Sequence, residues 1–127
     1  MNTLYTSSSY TKYSSMEAAM ARVGEFELLV ILAILRSGEA PYANRIREDL
    51  EANANRAVTR GALYRTLDRL KNKGLLVWED APSAAPERGG HPMRRLVVTA
   101  LGREAARDSR DVLLGYFEGV GAALDGK

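Results

Sequence analysis

Apolar positions along this chain recur at three- and four-residue steps in four stretches, with a short pair of strand-like runs between the third and the fourth. In the first stretch, residues 25–36, Phe26, Leu29, Val30 and Ala33 line one stripe, and Leu28, Ile31, Leu32, Ile34 and Leu35 widen it almost all round. A helix that is apolar all round is expected at the centre of a core. Ser37-Gly38 supplies its stop, and Pro41 sits where a new helix can begin. The second stretch, residues 42–53, places Tyr42, Ile46 and Leu50 at i, i+4 and i+8 among Arg45, Arg47, Glu48, Asp49 and Glu51. It predicts a thin amphipathic helix lying on the first and ended by Asn53-Ala54-Asn55.

The third stretch, residues 59–73, carries the most information. Thr59 suits an N-cap, because its hydroxyl can accept from an unpaired first-turn amide, and Gly74 suits the stop. Leu63, Leu67 and Leu70 share one side of the 3.6-residue period. At about 100° per residue, Gly61, Arg65, Asp68 and Asn72 lie opposite, with Tyr64 and Arg69 on the flanks. Gly61 costs about 1 kcal/mol relative to Ala inside a helix. That cost fits either the close approach of another backbone, such as a phosphate, or simple tolerance of a poor residue. A helix with a dry back and an Arg/Tyr/Gly front suits a DNA major groove, which admits one helix.

Beyond Gly74, Leu75-Leu76-Val77-Trp78 and Leu96-Val97-Val98 have strand composition, separated by a polar, proline-containing excursion from Glu79 to Pro92. They predict a hairpin with a long tip holding Arg88-Gly89-Gly90-His91 and a base holding Arg94 and Arg95. Thr99 then caps a final helix over residues 100–123. Its seam of Leu101, Ala105, Val112, Leu113, Tyr116, Phe117, Val120 and Leu124 exceeds what a core of three helices needs. Such a face is expected to pair with a second copy of the chain; packing on the first helix is the alternative. Residues 1–15 are Ser/Thr/Tyr-rich and read as a flexible arm, with Met16 as an alternative start. The expected organisation is therefore an arm (1–15), a DNA-binding domain (16–99), and a dimerisation helix with a short tail (100–127).

Composition narrows the function classes. The absence of cysteine excludes disulfides, thiolate zinc sites and a cysteine nucleophile, and the single His91 leaves no His-rich metal site. The longest apolar run, Leu28 to Leu35, is eight residues, too short to span a bilayer. Residues 1–15 hold only Lys12 as a cation and no apolar core of a secretion signal, so a cytoplasmic protein is expected. There is no glycine-rich phosphate loop and no carboxylate pair at catalytic spacing, so neither an enzyme nor a cofactor is expected. Net charge is only +2, but residues 36–73 carry nine Lys/Arg against five Asp/Glu, and residues 88–100 carry three arginines and no acid. Positive charge is concentrated where a phosphate-binding surface would need it.

Three helices, a hairpin and a terminal helix, in that order, make a winged helix-turn-helix: a mainly α fold with a small β-hairpin, here extended by a long C-terminal helix. Over residues 24–120 the chain resembles the PadR-like transcriptional regulators. Gly24 and Glu25 through Leu35 match a glycine-led, Leu-rich first helix, and Tyr42-Ala43 with Ile46 matches the second. Gly61-Ala62-Leu63-Tyr64-Arg65, then Leu67, Leu70, Gly74 and Leu75, match the Gly-Thr-Leu-Tyr-Arg…Leu…Leu…Gly-Leu signature. Gly90-His91-Pro92, Leu96-Val97-Val98-Thr99 and Gly102-Arg103 match the wing and the start of the final helix. The wing departs from the family's Gly-Arg-Pro-Arg-Lys-Tyr-Tyr, with His91, Met93, Arg95 and Leu96 replacing Arg, Arg, Tyr and Tyr.

The resemblance implies a homodimeric repressor that reads double-stranded DNA with helix 59–73 in the major groove and wing 79–95 on the backbone or minor groove. Tyr64 and Arg65 are the leading contact candidates, with a half-buried tyrosine and a solvated arginine as the plain alternatives. Thr59 and Arg60 lie at the positive end of the helix, where phosphate binds. Gly61, Arg69 (beside Asp68), Arg88, Arg94 and Arg95 complete the set. The expected dimer interface is Leu101, Ala105, Val112, Leu113, Tyr116, Phe117 and Val120. Some members of the family are implied to respond to small aromatic or hydrophobic compounds near the dimer interface, for which Tyr116 and Phe117 are the candidates here. Trp78 is expected to pack rather than to stack on a ligand. Rival readings are a winged-helix module that binds protein and a MarR-like ligand-responsive regulator.

Overall fold

A computed structural model describes residues 22–81 and 93–126. In chain order they form α1 (Glu25–Arg36), α2 (Ala43–Ala54), α3 (Arg60–Asn72), β1 (Leu76–Ala81), β2 (Met93–Val98) and α4 (Ala100–Leu124). The fold is a winged helix, mainly α with one antiparallel two-stranded hairpin. The expected arm, Arg88 and His91 lie outside the described residues. Among the described residues, no helix is long and apolar enough to cross a membrane, and no group of acidic or histidine side chains could hold a metal ion.

The helix ends form where local chemistry puts them. Thr59 Oγ1 accepts from the Ala62 N–H at 3.1 Å, and Thr99 Oγ1 accepts from Gly102 N–H at 3.0 Å, so both expected N-caps are made. At the end of α3, Gly74 takes φ +80°, its N–H reaches the Lys71 carbonyl and the Leu75 N–H reaches the Leu70 carbonyl, both at 2.9 Å. This paired closure needs a left-handed residue, which glycine adopts without strain. Helix α2 stops in the same way at Asn55, with φ 54°.

Leu63, Leu67 and Leu70 of α3 are fully buried against Val30, Ile31, Ile46, Leu75 and Leu76, as their spacing required. Burying each such side chain contributes about 1.5–3 kcal/mol. One expectation for α1 is corrected. It is not covered all round: Val30, Ile31, Ala33 and Ile34 are buried, but Leu32 and Leu35 remain 40% and 46% exposed. A domain this small wraps α1 on one side only, and the second side is left beside α4.

The hairpin is longer than the apolar runs suggested, because charged residues continue the ladder. Leu76 pairs with Val98, Trp78 with Leu96, Glu79 with Arg95 and Ala81 with Met93. Opposite charges facing across a ladder are favourable, so Glu79 and Asp80, expected in the excursion, extend the strand. The Leu96 N–H also reaches the Pro41 carbonyl at 3.0 Å, and Tyr42 forms an isolated bridge with Arg95, which ties the wing to the start of α2.

Helix α4 begins inside the core, with Gly102, Ala105 and Ala106 buried. A Cβ on Gly102 would fall on the Leu75 carbonyl oxygen and lie 2.8 Å from Val98 Cγ1, so this helix can come this close to the Leu75 backbone and β2 only through glycine. The core therefore continues past residue 99, across the boundary expected there. From residue 110 to residue 120 every position of α4 is exposed, and a local distortion at Val120 bends its last turn.

Candidate nucleic-acid interface

Burial of Leu63, Leu67 and Leu70 fixes the rotation of α3, and its outer face follows from that. Gly61, Arg65, Asp68 and Asn72 are all exposed, as are Thr59 and Arg60 at the N-terminal end. The first turn carries no acid, and the last turn carries Arg69 and Lys71. The amides of the first turn and the positive end of the helix dipole thus point outward beside Arg60, an arrangement that favours an anion. Gly61 has ordinary room for a methyl group: an added Cβ would meet only Arg65 Nη1, at 3.6 Å. Nothing inside the chain requires glycine there.

Tyr64 is half-buried and packs against the core while its ring stays at the surface between two arginines. The Arg60 guanidinium lies 5.6 Å from the ring centre and that of Arg94 lies 5.1 Å from it. Arg94 belongs to β2, so this contact joins the base of the wing to the outer face of α3. Arg94 also lies 4.4 Å from the Trp78 ring and 3.8 Å from Asp68 Oδ1. Arg95 points to the other face of the hairpin, 3.6 Å from Glu79. Trp78 is half-buried, with Lys71 4.5 Å from its ring, in keeping with the packing role expected of it.

Arg69 is differently engaged than its neighbour Asp68 suggested. Its Nε lies 3.4 Å from Glu27 Oε2 and its Nη2 donates to Thr66 Oγ1 at 3.1 Å. Glu27 is the residue that sequence reasoning missed. It is 7% exposed, and its Oε1 accepts from Lys73 Nζ at 2.8 Å and from the Gly24 N–H at 3.0 Å. Lys73 also donates to the Arg22 carbonyl at 2.8 Å. Burial alone would raise the Glu27 pKa, but the Lys73 and Gly24 hydrogen bonds, the Lys73 charge and the Arg69 contact outweigh it. The net shift is downward from 4.5. An anionic Glu27 therefore clamps the far end of α3 to α1 and draws two cations inward. The signal for it was one acid inside the otherwise apolar run of α1.

Of the interface residues expected on α4, Leu101 and Ala105 are packed into the domain, whereas Val112, Leu113, Tyr116, Phe117 and Val120 are 44–74% exposed. Leu114 and Leu124, at 57% and 63%, join them, as do Leu32 and Leu35 of α1. Two open apolar grooves run along this face. One, of about 920 Å³, lies between Leu28, Leu29, Leu101, Val112 and Phe117; the other, of about 570 Å³, lies between Leu32, Leu35, Ala106 and Leu114. Phe117 lines both and Tyr116 lines neither.

No protein-family model matches the sequence, and no curated protein matches it. Solved structures do. A PadR-like transcription factor from Bacteroides fragilis is similar at 28% identity and TM-score 0.63, over 77% of this chain and 88% of that one. The chain is thus similar in fold to a PadR-like transcription factor. Two complex structures of hsRosR share the fold: hsRosR-S4 at 24% identity and TM-score 0.60 (87% of this chain, 94% of that one), and hsRosR-S1 at 23% and 0.58 (82% and 90%). The wing residues that depart from the Gly-Arg-Pro-Arg-Lys-Tyr-Tyr pattern have local reasons. Leu96 is buried opposite Trp78, and Arg95 pairs with Glu79.

Proposed function

We propose that this PadR-like chain is a sequence-specific double-stranded-DNA-binding transcription regulator that acts as a homodimeric repressor, not an enzyme. The observation that carries the reading is the outer face of α3, where Thr59, Arg60, Gly61 and Arg65 are exposed together beside the base of a wing. The helix enters the major groove with this face. Its N-terminal end and Arg60 hold phosphate, Arg65 reaches base edges, and the surface edge of Tyr64 lies against the duplex. Wing residues 79–95, through Arg88 and Arg95, lie on the backbone or in the minor groove. Arg69 is held back by Glu27 and contributes charge rather than a base contact. The likeness to a PadR-like transcription factor supports the same reading. A cytoplasmic location goes with that role.

Dimerisation uses the second half of α4. Val112, Leu113, Tyr116, Phe117 and Val120 form an exposed apolar face larger than scattered surface residues make, and the exposed side of α1 continues it. A second copy on this face presents two α3 helices to two half-sites. The grooves beside Phe117 then become interior spaces suited to a small aromatic or hydrophobic effector. A gel shift on the fragment upstream of the protein's own gene, competed with unlabelled unrelated duplex, tests the DNA reading. Retarded complexes that survive the competitor are expected; complexes that unrelated duplex abolishes at equal mass argue against sequence-specific recognition.

A further inference from the structure

Four cation–ring contacts link five residues in a single alternating row. Arg60 lies over Tyr64, Tyr64 faces Arg94, Arg94 lies over Trp78, and Trp78 faces Lys71, at 5.6, 5.1, 4.4 and 4.5 Å. Three of the five are on α3 and two are on the hairpin, so the row crosses from helix to wing and back. Arg94 is its centre, the one cation with an aromatic ring on each side. A guanidinium is flat and weakly hydrated, so it stacks on ring faces where an ammonium does not.

Other features of Arg94 agree with an internal position. Its side chain is only 32% exposed, and the nearest carboxylate, Asp68, is 3.8 Å away, beyond hydrogen-bonding distance. Its Nη1 is buried and makes no hydrogen bond. Arg95, next to it, is on the open face of the hairpin at 42% exposed. On the inner face of the hairpin, Leu76, Leu96 and Val98 fill the core, and outward from them Trp78 and Arg94 take over the contact with α3. No buried aliphatic pair joins wing to helix beyond that point among the described residues.

We propose that Arg94 is a positioning residue that braces the wing against the recognition helix, and that it does not bind phosphate. Sandwiched between Tyr64 and Trp78, it sets the angle at which wing and helix meet one duplex. The inference rests on the DNA-binding reading above.

Arg94→Lys tests it, because the charge stays and the planar stack is lost. Trp78 is the only tryptophan, so its emission reports the stack without DNA. Arg94→Lys should change that emission, and should weaken binding to the upstream fragment about tenfold with the salt dependence of binding unchanged. Trp78→Leu, which alters no charge, should weaken binding equally, and Trp78→Phe should restore it. A phosphate contact behaves otherwise. Lysine would then keep wild-type affinity, and Arg94→Gln would lower the slope of log K against log salt by about 0.9. Wild-type affinity in both Arg94→Lys and Trp78→Leu overturns the brace while leaving DNA binding intact. Failure of the unaltered chain to bind any duplex overturns the underlying reading instead.

Discussion

Replacing Glu27 by glutamine separates the clamp on α3 from everything else, because the side chain keeps its shape and its acceptor for the Gly24 N–H. What is lost is the negative charge facing Lys73 and Arg69. A hydrogen bond to a charged group contributes about 1.5–3 kcal/mol net. Lys73 is 26% exposed and can turn to water, which places its loss at the lower end, while Arg69, 56% exposed and 3.4 Å away, adds little. Glu27→Gln should therefore cost about 1–2 kcal/mol at neutral pH, read from urea unfolding at one fixed protein concentration, since the stability of the proposed dimer depends on concentration. The pH dependence has a definite sign. The Glu27 pKa is held below its ordinary 4.5, so its contribution is complete above that value and is lost as pH falls through the native pKa. The gap between wild type and Glu27→Gln should close on acidification. The same variant frees Lys73 and Arg69 at the edge of the proposed DNA-facing surface, so its binding should depend more steeply on salt. A cost below about 0.5 kcal/mol, the scatter of ordinary surface substitutions, with a gap that ignores pH, would refute the clamp.

Two further changes probe the packing. Gly102→Ala should destabilise the domain by about 3 kcal/mol, because the new methyl meets backbone rather than a yielding side chain; a melting temperature equal to wild type would contradict this. Phe117→Glu, on a side chain 55% exposed, should leave the domain folded and convert a sedimenting dimer to monomer at micromolar concentration; an unchanged dimer would move the interface elsewhere.

Most of the fold was legible because each element carries its own signal. Leu63, Leu67 and Leu70 give α3 a period, Thr59 and Thr99 give start points, and Gly74 gives a stop that its φ of +80° explains. The exposed front of α3 followed from the same arithmetic. What was not legible depended on contacts between distant residues. Glu27 and Lys73 lie 46 positions apart, and no local pattern shows that they meet. The row from Arg60 to Lys71 is likewise a product of the hairpin folding back, which turned Arg94 from a free wing cation into an enclosed one. The all-round apolar pattern of α1 misled in the other direction. It correctly marked a central helix, but part of its belt faces the side of α4 that the domain itself leaves open.

The central claim is that the outer face of α3 reads DNA, and Arg65→Ala tests it most directly, since Arg65 is exposed and removing it leaves the core untouched. Equilibrium binding to the upstream fragment and to an unrelated duplex should be measured for both proteins across a salt series. The account predicts a loss of about 1–3 kcal/mol on the upstream fragment and a smaller one on the unrelated duplex. Equal affinity of wild type and Arg65→Ala for the upstream fragment, in a variant that melts like wild type, would contradict it.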